Sequence, residues 1–442
     1  MHPTTHGRVL QDVAPPVLSR RVLVATLIGN FTEWFDFAVY GAVAVTLGRV
    51  FFPLEDPAVS LLASLAAFAV AFVLRPVGGA LLGSVGDRYG RRIALSVAVL
   101  GISVATTSIA LLPSYATAGL WAPLLLVLLR CVQGLSAGGE WTSASAFLVE
   151  YAPANRRGLG ASLISVSGGV AVVTGIVTSL ALESALTPAQ MQAWGWRLPF
   201  LLAAPLGLVG LYLRLRLDET PVYRELRARG SVTTTPLRDA VRTSPGTLAV
   251  AFACASATGV GFYYLATYFV NALSAGQGGR TTALILSAVA LLVYTALCPL
   301  AGLLSDRFGR RPVYIGGCLG HAVLAVPVLL LVSSGNTGAA LLGLCLFAVP
   351  QAALNVMSSV TLVELFPAQT RSSGAALAYS LGVGPIAGSA PLVATALAAG
   401  TGTPLAPAGY LAAITLVVAL VLVRHLPETR HRSLSTAPDL SS

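Results

Sequence analysis

The sequence predicts an all-α integral membrane protein with twelve transmembrane helices arranged in two pseudo-symmetric halves of six. Hydrophobic residues make up 55% of the 442 residues and charged residues only 10%. A soluble domain carries about 25% charged residues, so a chain this poor in charge must present much of its surface to lipid. The motif G-x-x-x-D-R-x-G-R-R occurs at 83–92 and again at 302–311, about half the chain length apart. A repeat at that distance indicates a duplicated fold.

Two weaker correspondences support the same duplication. In the first, Glu150-Tyr-Ala-Pro followed by Arg157 corresponds to Glu364-Leu-Phe-Pro followed by Arg371. In the second, Asp218-Glu-Thr corresponds to Pro427-Glu-Thr. Both keep the order and nearly the offset of the main motif. Three ordered correspondences favour an ancestral duplication over chance similarity.

Twelve stretches meet the requirement of about 20 largely apolar residues for a spanning helix. Their predicted bounds are 22–48, 58–84, 93–113, 122–149, 158–183, 198–217, 246–274, 281–304, 313–333, 339–363, 372–399 and 408–424. The longest polar interruption lies between the sixth and seventh stretches. The predicted organisation is a tail at 1–21, a bundle at 22–217, a middle loop at 218–245, a bundle at 246–424 and a tail at 425–442.

The distribution of arginine predicts the orientation. All 27 basic residues are arginine, and 22 of them fall on one side if the tails, the repeated motifs and the middle loop (with Arg214 and Arg216) share it. The other side holds only Arg49, Arg197 and Arg280. Arginine accumulates on the cytoplasmic side of membrane proteins, so both termini and the middle loop are expected in the cytoplasm. The net charge of +10 thus reflects topology and does not predict nucleic-acid binding.

Five charged residues are predicted to lie at membrane depth, away from the span ends: Glu33, Asp36, Arg75, Arg130 and Glu140. A charge at this depth costs about 2.5–3.5 kcal/mol on insertion scales, so each is a functional candidate. Three acids face two bases, which leaves one carboxylate without a partner and able to take up a proton. The predicted proton-coupling residues are Asp36 first, then Glu140 and Glu33. A static salt-bridge network that ties the first, second and fourth helices together is the alternative.

Polar stripes on the first, fourth, seventh and tenth helices predict one cavity near the midplane. At 100° per residue, the polar residues of each helix share one face. Arg75 and Arg130 favour an anionic or zwitterionic solute, because arginine binds carboxylates through two hydrogen bonds. The candidate solute-binding residues are Arg75, Arg130, Gln133, Asn30, Tyr40, Tyr264, Tyr268, Asn271, Gln351 and Asn355.

Neither a metal site nor an enzyme active site is expected. The five cysteines lie in apolar stretches without a C-x-x-C pattern, so they are interpreted as small core residues. His321 is alone on its helix and is interpreted as a packing histidine. The sequence has no H-E-x-x-H motif and no convincing nucleophile–base set. No cofactor is expected, and a proton is the predicted coupling ion.

The repeated motif itself pairs a small residue with a carboxylate, as in Gly83 with Asp87 and Gly302 with Asp306. A glycine one helical turn before a carboxylate suits close contact with the end of a neighbouring helix. The amino terminus of a helix favours a negative charge. Each motif is therefore expected to contact a helix amino terminus, although a pure topology signal would explain its arginines.

These motifs together resemble the major facilitator superfamily, over residues 20–430. Arg130-Cys-Val-Gln-Gly resembles the signature of that family's fourth helix. The more specific resemblance is to that family's metabolite:proton symporter branch, which includes permeases for shikimate, α-ketoglutarate, citrate, and proline or betaine. The residues that carry this second resemblance are Gly29-Asn-Phe-Thr-Glu-Trp-Phe-Asp-Phe-Ala-Val-Tyr-Gly, Arg75-Pro, Gly138-Gly-Glu-Trp and Glu364-Leu-Phe-Pro.

The resemblance implies alternating access by rocking of two halves, with proton-coupled uptake of a small metabolite through the cytoplasmic membrane of a bacterium. It implies gating by the repeated motifs, with the carboxylates Asp87 and Asp306 at their centre. The gating residues are Gly83, Asp87, Arg88, Arg91, Arg92, Gly302, Asp306, Arg307, Arg310 and Arg311, with Glu150, Arg157, Glu364 and Arg371 as charged neighbours. The expected partners are a small-molecule substrate and the lipid bilayer, and a monomer is expected.

Two departures from the branch leave the substrate open. Relatives usually carry glutamine and often proline early in the fifth helix, where this chain has Ser165 and Ser167. Relatives also carry more glycine after the tryptophan of the fourth helix, whereas Thr142 follows Trp141 here. The main alternative function is a proton-coupled exporter of the same fold. Exporters typically carry proline in the fifth-helix pattern G-x-x-x-G-P-x-x-G-G, and no such proline follows Gly158. A membrane enzyme and a non-transporting sensor are further alternatives.

Overall fold

The computed structural model describes residues 20–274 and 279–434, so most of the two predicted tails lies outside the described residues. Within them, twelve helices are long and apolar enough to cross a membrane, which confirms the predicted fold class. These helices are α1 (Leu23–Phe51), α2 (Val59–Tyr89), α3 (Arg91–Ala110), α4 (Trp121–Tyr151), α5 (Arg157–Ala185), α6 (Pro188–Leu215), α7 (Pro245–Ser274), α8 (Gly279–Phe308), α9 (Arg310–Val332), α10 (Thr337–Leu365), α11 (Arg371–Thr401) and α12 (Leu405–His425).

The two halves, α1–α6 and α7–α12, meet through an exchanged pair of contacts. Helix α2 packs against α11, and α8 packs against α5. The second helix of each half therefore packs on the fifth helix of the other, as expected for a duplicated bundle. Large apolar side chains on the outside remain uncovered, for example Val73 and Leu392, which are 71% and 72% exposed. Such a surface suits lipid and not water.

The bundle has two distinct faces. Because the number of spans is even, both described ends of the chain lie on one face, which we call the terminal face. It carries the α2–α3 and α8–α9 junctions and two short helices between the halves, Pro221–Ala228 and Pro236–Thr243. The other end of the bundle, which we call the opposite face, carries the short helix Tyr115–Ala118 between α3 and α4.

The repeated motif is helical over most of its length, which corrects the prediction that the spans end at residues 84 and 304. Helix α2 continues through Gly83 to Tyr89, and α8 continues to Phe308. Only Gly90 and Gly309 break the helices, with φ of 111° and 104°. This backbone conformation is open to glycine and strained for other residues, so the glycine before the two final arginines sets each turn.

Helix α6 begins well before the predicted residue 198. Thr187 and Gln190 form a capping box, in which each side chain bonds the backbone N–H of the other, so the helix can begin at Pro188. A π-helical segment, Met191–Gly195, follows at once. Two further π-helical segments interrupt α7 at Tyr264–Tyr268 and α11 at Gly382–Ala387. Their wider turns rotate the residues that follow relative to a regular α-helix.

Candidate functional site

Two carboxylates of the terminal face cap helices of the opposite half. Asp87 accepts hydrogen bonds from the backbone N–H groups of Ser372 at 3.0 Å and Ser373 at 2.7 Å, where α11 begins. Asp306 likewise accepts from Gly158 at 2.8 Å and from the next residue, where α5 begins. The first N–H groups of a helix have no partner within it and carry partial positive charge. Each carboxylate therefore holds the two halves together.

The glycine one turn before each carboxylate lets the backbones approach. A Cβ atom on Gly83 would lie 2.8 Å from the carbonyl oxygen of Ser372, and one on Gly302 would lie 2.7 Å from that of Gly158. Side chains larger than hydrogen would separate the helices at these points. The glycine and the carboxylate, one helical turn apart, thus contribute to the same contact between helices of the two halves.

An ion-pair network crosses between the halves beside these caps. Arg91 lies 2.9 Å from Asp87 and 3.8 Å from Glu150, and Glu150 lies 2.9 Å from Arg371 of the other half. Because α11 packs on α2, Arg371 at its start faces the first half. The resulting cluster is buried.

The second half repeats this cluster. Arg310 lies 2.7 Å from Asp306 and 3.3 Å from Glu364, and Glu364 lies 3.6 Å from Arg157 of the first half. Glutamate of one half therefore pairs with arginine of the other, so Glu150 does not pair with Arg157 of its own half. We call the two clusters together the terminal network.

The remaining arginines of the repeated motifs lie outside this network. Arg88 and Arg307 are exposed. Arg92 donates to the carbonyl of Leu215 at 2.7 Å, and Arg311 donates to that of Val423, at the ends of α6 and α12. Arginine commonly bonds the last carbonyls of a helix, which have no partner within it. Arg92 and Arg311 therefore anchor helix ends within their own halves, and Arg88 and Arg307 remain at the surface.

Glu219 and Glu428 have a role that was not predicted from the sequence, where they indicated only duplication. Glu219 accepts from the N–H groups of Arg91 and Arg92 at 3.1 Å, at the start of α3. Glu428 accepts from Arg310 at 2.9 Å in the same way at the start of α9. Burial raises the pKa of the Glu219 carboxyl, and its bonds from backbone N–H groups oppose that rise. The repeated Glu-Thr pair was the available signal.

The chain after α12 packs beneath the terminal network. Thr429 donates to Glu364 at 2.5 Å. Arg157 donates to the carbonyl of Arg432 at 2.8 Å, and Arg371 donates to that of Leu434 at 2.5 Å. The segment 429–434 therefore binds the first residue of α5 and the first residue of α11 together, one from each half.

The charged residues at membrane depth form three buried ion pairs. Arg75 pairs with Glu33, and Arg130 lies 3.0 Å from Asp36. The predicted surplus of one carboxylate is wrong, because Arg214, which was counted with the arginines of the cytoplasmic side, is buried within α6. Arg214 is 2.5 Å from Glu140 and neutralises it.

Arg214 holds four helices at one point. It bonds both oxygens of Glu140 in α4, at 2.5 and 3.1 Å. It also donates to the carbonyl of Ala25 in α1 at 3.0 Å and to that of Leu95 in α3. A carboxylate held by two bonds inside one half suits a structural role, since breaking such a pair costs roughly 3–5 kcal/mol.

The Arg75–Glu33 pair is incompletely bonded. Two guanidinium nitrogens of Arg75, Nε and Nη1, have no hydrogen-bond partner among the described residues, and neither does Oε2 of Glu33 or the hydroxyl of Tyr263. Buried polar groups are normally paired, so these atoms call for a partner that the described residues do not supply. The site therefore holds donors and an acceptor suited to a polar ligand.

Aromatic rings enclose Arg75 on two sides. Its guanidinium carbon lies 5.5 Å from the centre of the Phe37 ring and 6.0 Å from that of Tyr379. Tyr379 of α11 stacks on Trp141 of α4 with ring centres 4.0 Å apart and planes 4° from parallel. We call this cross-half pair the central stack.

A cavity of about 200 Å³ lies between the halves, toward the opposite face. Trp34, Phe37, Phe262 and Tyr263 line it, and we call them the aromatic floor. Trp34 meets Phe262 edge-on with ring centres 4.9 Å apart, which joins α1 to α7. Arg75 thus contacts a ring of the floor and a ring of the central stack. The cavity is bounded by α1, α2, α5, α7 and α8, so the prediction that α4 and α10 line it with α1 and α7 does not hold for this cavity.

Of three further candidate residues in the first half, two contact Arg130 and one joins two helices. Gln133 accepts from Arg130 at 2.8 Å and donates to Thr106 at 2.7 Å. The ring of Tyr40 lies 3.6 Å from the Arg130 guanidinium. Asn30 donates to the carbonyl of Ile164 at 3.0 Å and ties α1 to α5. None of the three lines the described cavity.

In the second half, only Asn271 of the predicted stripe lines the cavity. Tyr264 donates to the carbonyl of Pro407 in α12 at 2.9 Å, and Tyr268 packs on it. The stripe was drawn for a regular helix, and the π-helical segment at 264–268 rotates Asn271 away from Tyr264. Tyr263, which was not among the predicted residues of the stripe, lines the cavity instead.

The two candidates on α10 lie in the core of the second half. Gln351 donates to the carbonyl of Thr258 at 3.1 Å and lies 3.0 Å from Nε2 of His321. Asn355 is buried on the same helix. His321 also packs against the ring of Phe347, as predicted for a packing histidine.

A family model described as "Major Facilitator Superfamily" matches residues 26–377 and 272–441. The chain is 38% identical over 436 residues to the glycine betaine/proline/ectoine/pipecolic acid transporter OusA of Dickeya dadantii, covering 96% of this chain and 86% of that protein. It is 37% identical over 433 residues to the proline/betaine transporter of Escherichia coli K12, with the same coverage. The ectoine/proline transporter ProP of Corynebacterium glutamicum is 34% identical over 429 residues, covering 93% and 85%.

Solved structures share the fold. The proton:xylose symporter XylE bound to 6-bromo-6-deoxy-D-glucose superposes with a TM-score of 0.80 at 19% identity, covering 94% of this chain and 97% of that one. The inward-open conformation of the Escherichia coli xylose transporter XylE gives a TM-score of 0.68 at 20% identity, covering 93% and 97%.

Proposed function

The chain belongs to the major facilitator superfamily, and on that basis we propose that it takes up a small zwitterion of the proline or betaine type together with a proton. It is a multi-pass membrane transporter and not an enzyme. The observation that carries the proposal is the incompletely bonded Arg75 at the boundary between the halves, enclosed by aromatic rings. The relatives named for proline, betaine and ectoine transport support the same class of substrate.

Arg75 is the proposed partner of the substrate carboxylate. Its two unpartnered nitrogens can donate to a carboxylate, and such charge-assisted bonds are the stronger class of hydrogen bond. The hydroxyl of Tyr263 offers a further donor nearby on the floor. A purely anionic metabolite would bring no cation to the rings of Trp34 and Trp141, so we favour a zwitterion over an anion.

The aromatic rings are the proposed partners of the ammonium group. A quaternary or secondary ammonium is attracted to the face of tryptophan, tyrosine or phenylalanine, by about 0.5–1 kcal/mol at exposed sites and about 2 when desolvated. The floor contains Trp34, and the central stack contains Trp141. A carboxylate on Arg75 would bring the ammonium of a small zwitterion within reach of these rings.

Glu33 is the proposed proton-coupling residue. A substrate carboxylate that binds Arg75 competes with Glu33 for the same guanidinium. A buried carboxylate that loses its cation is costly in its charged form and takes up a proton. Binding of the zwitterion and uptake of the proton would then require each other, which is the condition for symport.

The other two carboxylates suit this role less well. Glu140 is held by two bonds to Arg214 inside one half, so substrate binding at the boundary does not release it. Asp36 has one unpartnered oxygen, and its partner Arg130 has two unpartnered nitrogens, but this guanidinium packs on Tyr40 and bonds Gln133, which both belong to the first half and lie outside the cavity lining. We therefore move Glu33 ahead of Asp36, which the sequence ranked first, and keep Asp36 as the second candidate.

The terminal face is the proposed cytoplasmic side of a bacterial cytoplasmic membrane, as the arginine distribution predicts. The cavity then opens toward the outside, and the terminal network closes the inside. An impermeant thiol reagent applied to intact cells should label a cysteine introduced at Ala116 and spare one at Ala228. The reverse labelling pattern would overturn this orientation.

Asp87→Asn is expected to open the terminal face and slow uptake. The variant removes the charge that caps α11 and costs the closed state roughly 1–2 kcal/mol, which shifts the equilibrium about tenfold. The exposed side chain of Arg88 in the same motif offers a matched control, and Arg88→Gln should transport normally. Uptake rates of the two variants, at equal amounts of inserted protein, test this. Normal transport by Asp87→Asn would reduce the motif to a topology signal.

The proposed function is tested by uptake of labelled proline and glycine betaine into cells that lack their own carriers for them. Expression of this chain should produce accumulation that an uncoupler abolishes. Uptake that persists unchanged with the uncoupler would exclude proton coupling. Accelerated loss of preloaded substrate under a proton gradient would instead indicate the exporter.

A further inference from the structure

Arg280 is an arginine on the side of the bundle where few are found. It stands at the start of α8, at the opposite face. The sequence places only Arg49 and Arg197 on that side with it. Arginine as a topology signal collects on the other side, so membrane insertion does not explain Arg280.

The Arg280 side chain spans the mouth of the cavity. Its Nη2 donates to the carbonyl oxygen of Ala42 at 2.7 Å, which joins α8 of one half to α1 of the other. It also lines the cavity, where it is the one charged side chain among the described lining residues. None of the described carboxylates lies within ion-pair distance of it.

Arg280 therefore has donors to spare. Arginine carries five N–H groups, and the bond to Ala42 is the single hydrogen bond that its side chain makes with described residues. Most of the cavity wall beneath it is apolar, formed by residues such as Phe68, Val172 and Ile176. A lone cation in a cleft with such walls focuses its field and raises the local concentration of anionic groups.

We propose that Arg280 is the outer capture residue of the transporter, which binds the carboxylate of the zwitterion before it passes the aromatic floor to Arg75. The substrate carboxylate replaces the Ala42 carbonyl as acceptor, so capture also exchanges a bond between the halves for a bond to substrate. This role deepens the proposed function and rests on it. It assigns to the carboxylate two successive arginine partners, one at each side of the floor.

The test measures KM and kcat for labelled proline and glycine betaine in vesicles of both orientations. Arg280→Gln should raise KM about tenfold for entry from the cavity side, since the charged bond is lost, with kcat changed less than about twofold. Arg280→Lys keeps the charge and should recover most of the affinity. Entry from the terminal face should be unaffected. Arg49→Gln removes an exposed arginine on the same side, outside the cavity lining, and should behave as the parent protein does.

A second signature is electrostatic. Salt screens interactions between exposed charges over about 8–10 Å at physiological ionic strength. Raising the ionic strength should therefore increase KM for the parent protein and for Arg280→Lys, and should have little effect on Arg280→Gln.

Three outcomes decide between the possibilities. An unchanged KM for Arg280→Gln, with the parent protein transporting zwitterions, overturns the capture role alone. An equal rise in KM from both sides also overturns it, because the side chain would then act on the conformation of the protein. Failure of the parent protein to carry either zwitterion overturns both the capture role and the proposed function.

Discussion

Glu33→Gln is expected to abolish proton-driven accumulation while leaving exchange of the zwitterion intact. Glutamine keeps the size of the side chain and can accept a bond from Arg75, but it cannot take up and release a proton. With the competing charge removed, Arg75 remains free for the substrate carboxylate, so substrate affinity should be equal to or higher than that of the parent protein. The loss should be complete for uphill transport and small for counterflow.

The matched control is Asp36→Asn, which removes a carboxylate on the same helix about one turn away. If Glu33 couples, Asp36→Asn should still accumulate substrate under a proton gradient. If Glu33→Gln retains uphill transport and Asp36→Asn loses it, Asp36 is the coupling residue. Counterflow in both variants separates a loss of coupling from a failure to fold or insert.

Arg75→Gln is expected to lose nearly all binding of proline and glycine betaine. Removing one partner of a buried charge pair costs roughly 2–5 kcal/mol of binding, which corresponds to between about thirtyfold and several thousandfold in affinity. Arg75→Lys should recover little of this, because a lysine ammonium cannot present two parallel donors to a carboxylate. Binding to purified protein, measured by calorimetry, tests both variants.

A folding control accompanies the Arg75 variants, because Arg75→Gln leaves Glu33 buried without a cation. The double variant Glu33→Gln/Arg75→Gln removes both charges and should restore stability while still failing to bind substrate. If the double variant binds the zwitterions with normal affinity, Arg75 is not the carboxylate site.

The sequence predicted the architecture of this chain well because hydropathy and duplication are local, repeated signals. The spans follow from apolar runs, and the contact of Asp87 and Asp306 with helix amino termini follows from the small-residue spacing before each carboxylate. The pairing of glutamates of one half with arginines of the other in the terminal network was not predictable in the same way. Which helix ends meet depends on the packing of α11 on α2 and of α5 on α8, and no local pattern encodes that packing.

The errors at the midplane have equally specific causes. Arg214 follows closely on an apolar stretch and precedes Arg216, so its sequence context looks like a helix end at the membrane surface. Its burial depends on the tertiary contact with Glu140 in α4. The stripe on α7 failed because a π-helical segment shifts the angular position of Asn271, and this chain carries no simple sequence signal for such a segment.

One proton can drive substantial accumulation of a neutral zwitterion. A charge that crosses the membrane gains about 2.3 kcal/mol per 100 mV, so roughly 150 mV supplies about 3.5 kcal/mol. At about 1.4 kcal/mol per tenfold, this corresponds to several hundredfold accumulation before any pH gradient contributes. The proposed coupling through Glu33 is therefore energetically sufficient for uptake against a steep gradient.

Proton-coupled uptake of a zwitterion can be measured in proteoliposomes that contain the purified chain. An inwardly directed proton gradient is imposed with no substrate gradient, and labelled proline or glycine betaine is followed inside. We expect transient accumulation above the outside concentration, accompanied by inward movement of positive charge and collapsed by a protonophore. Equilibration of the zwitterion to the outside concentration and no further, with or without the proton gradient, would contradict it.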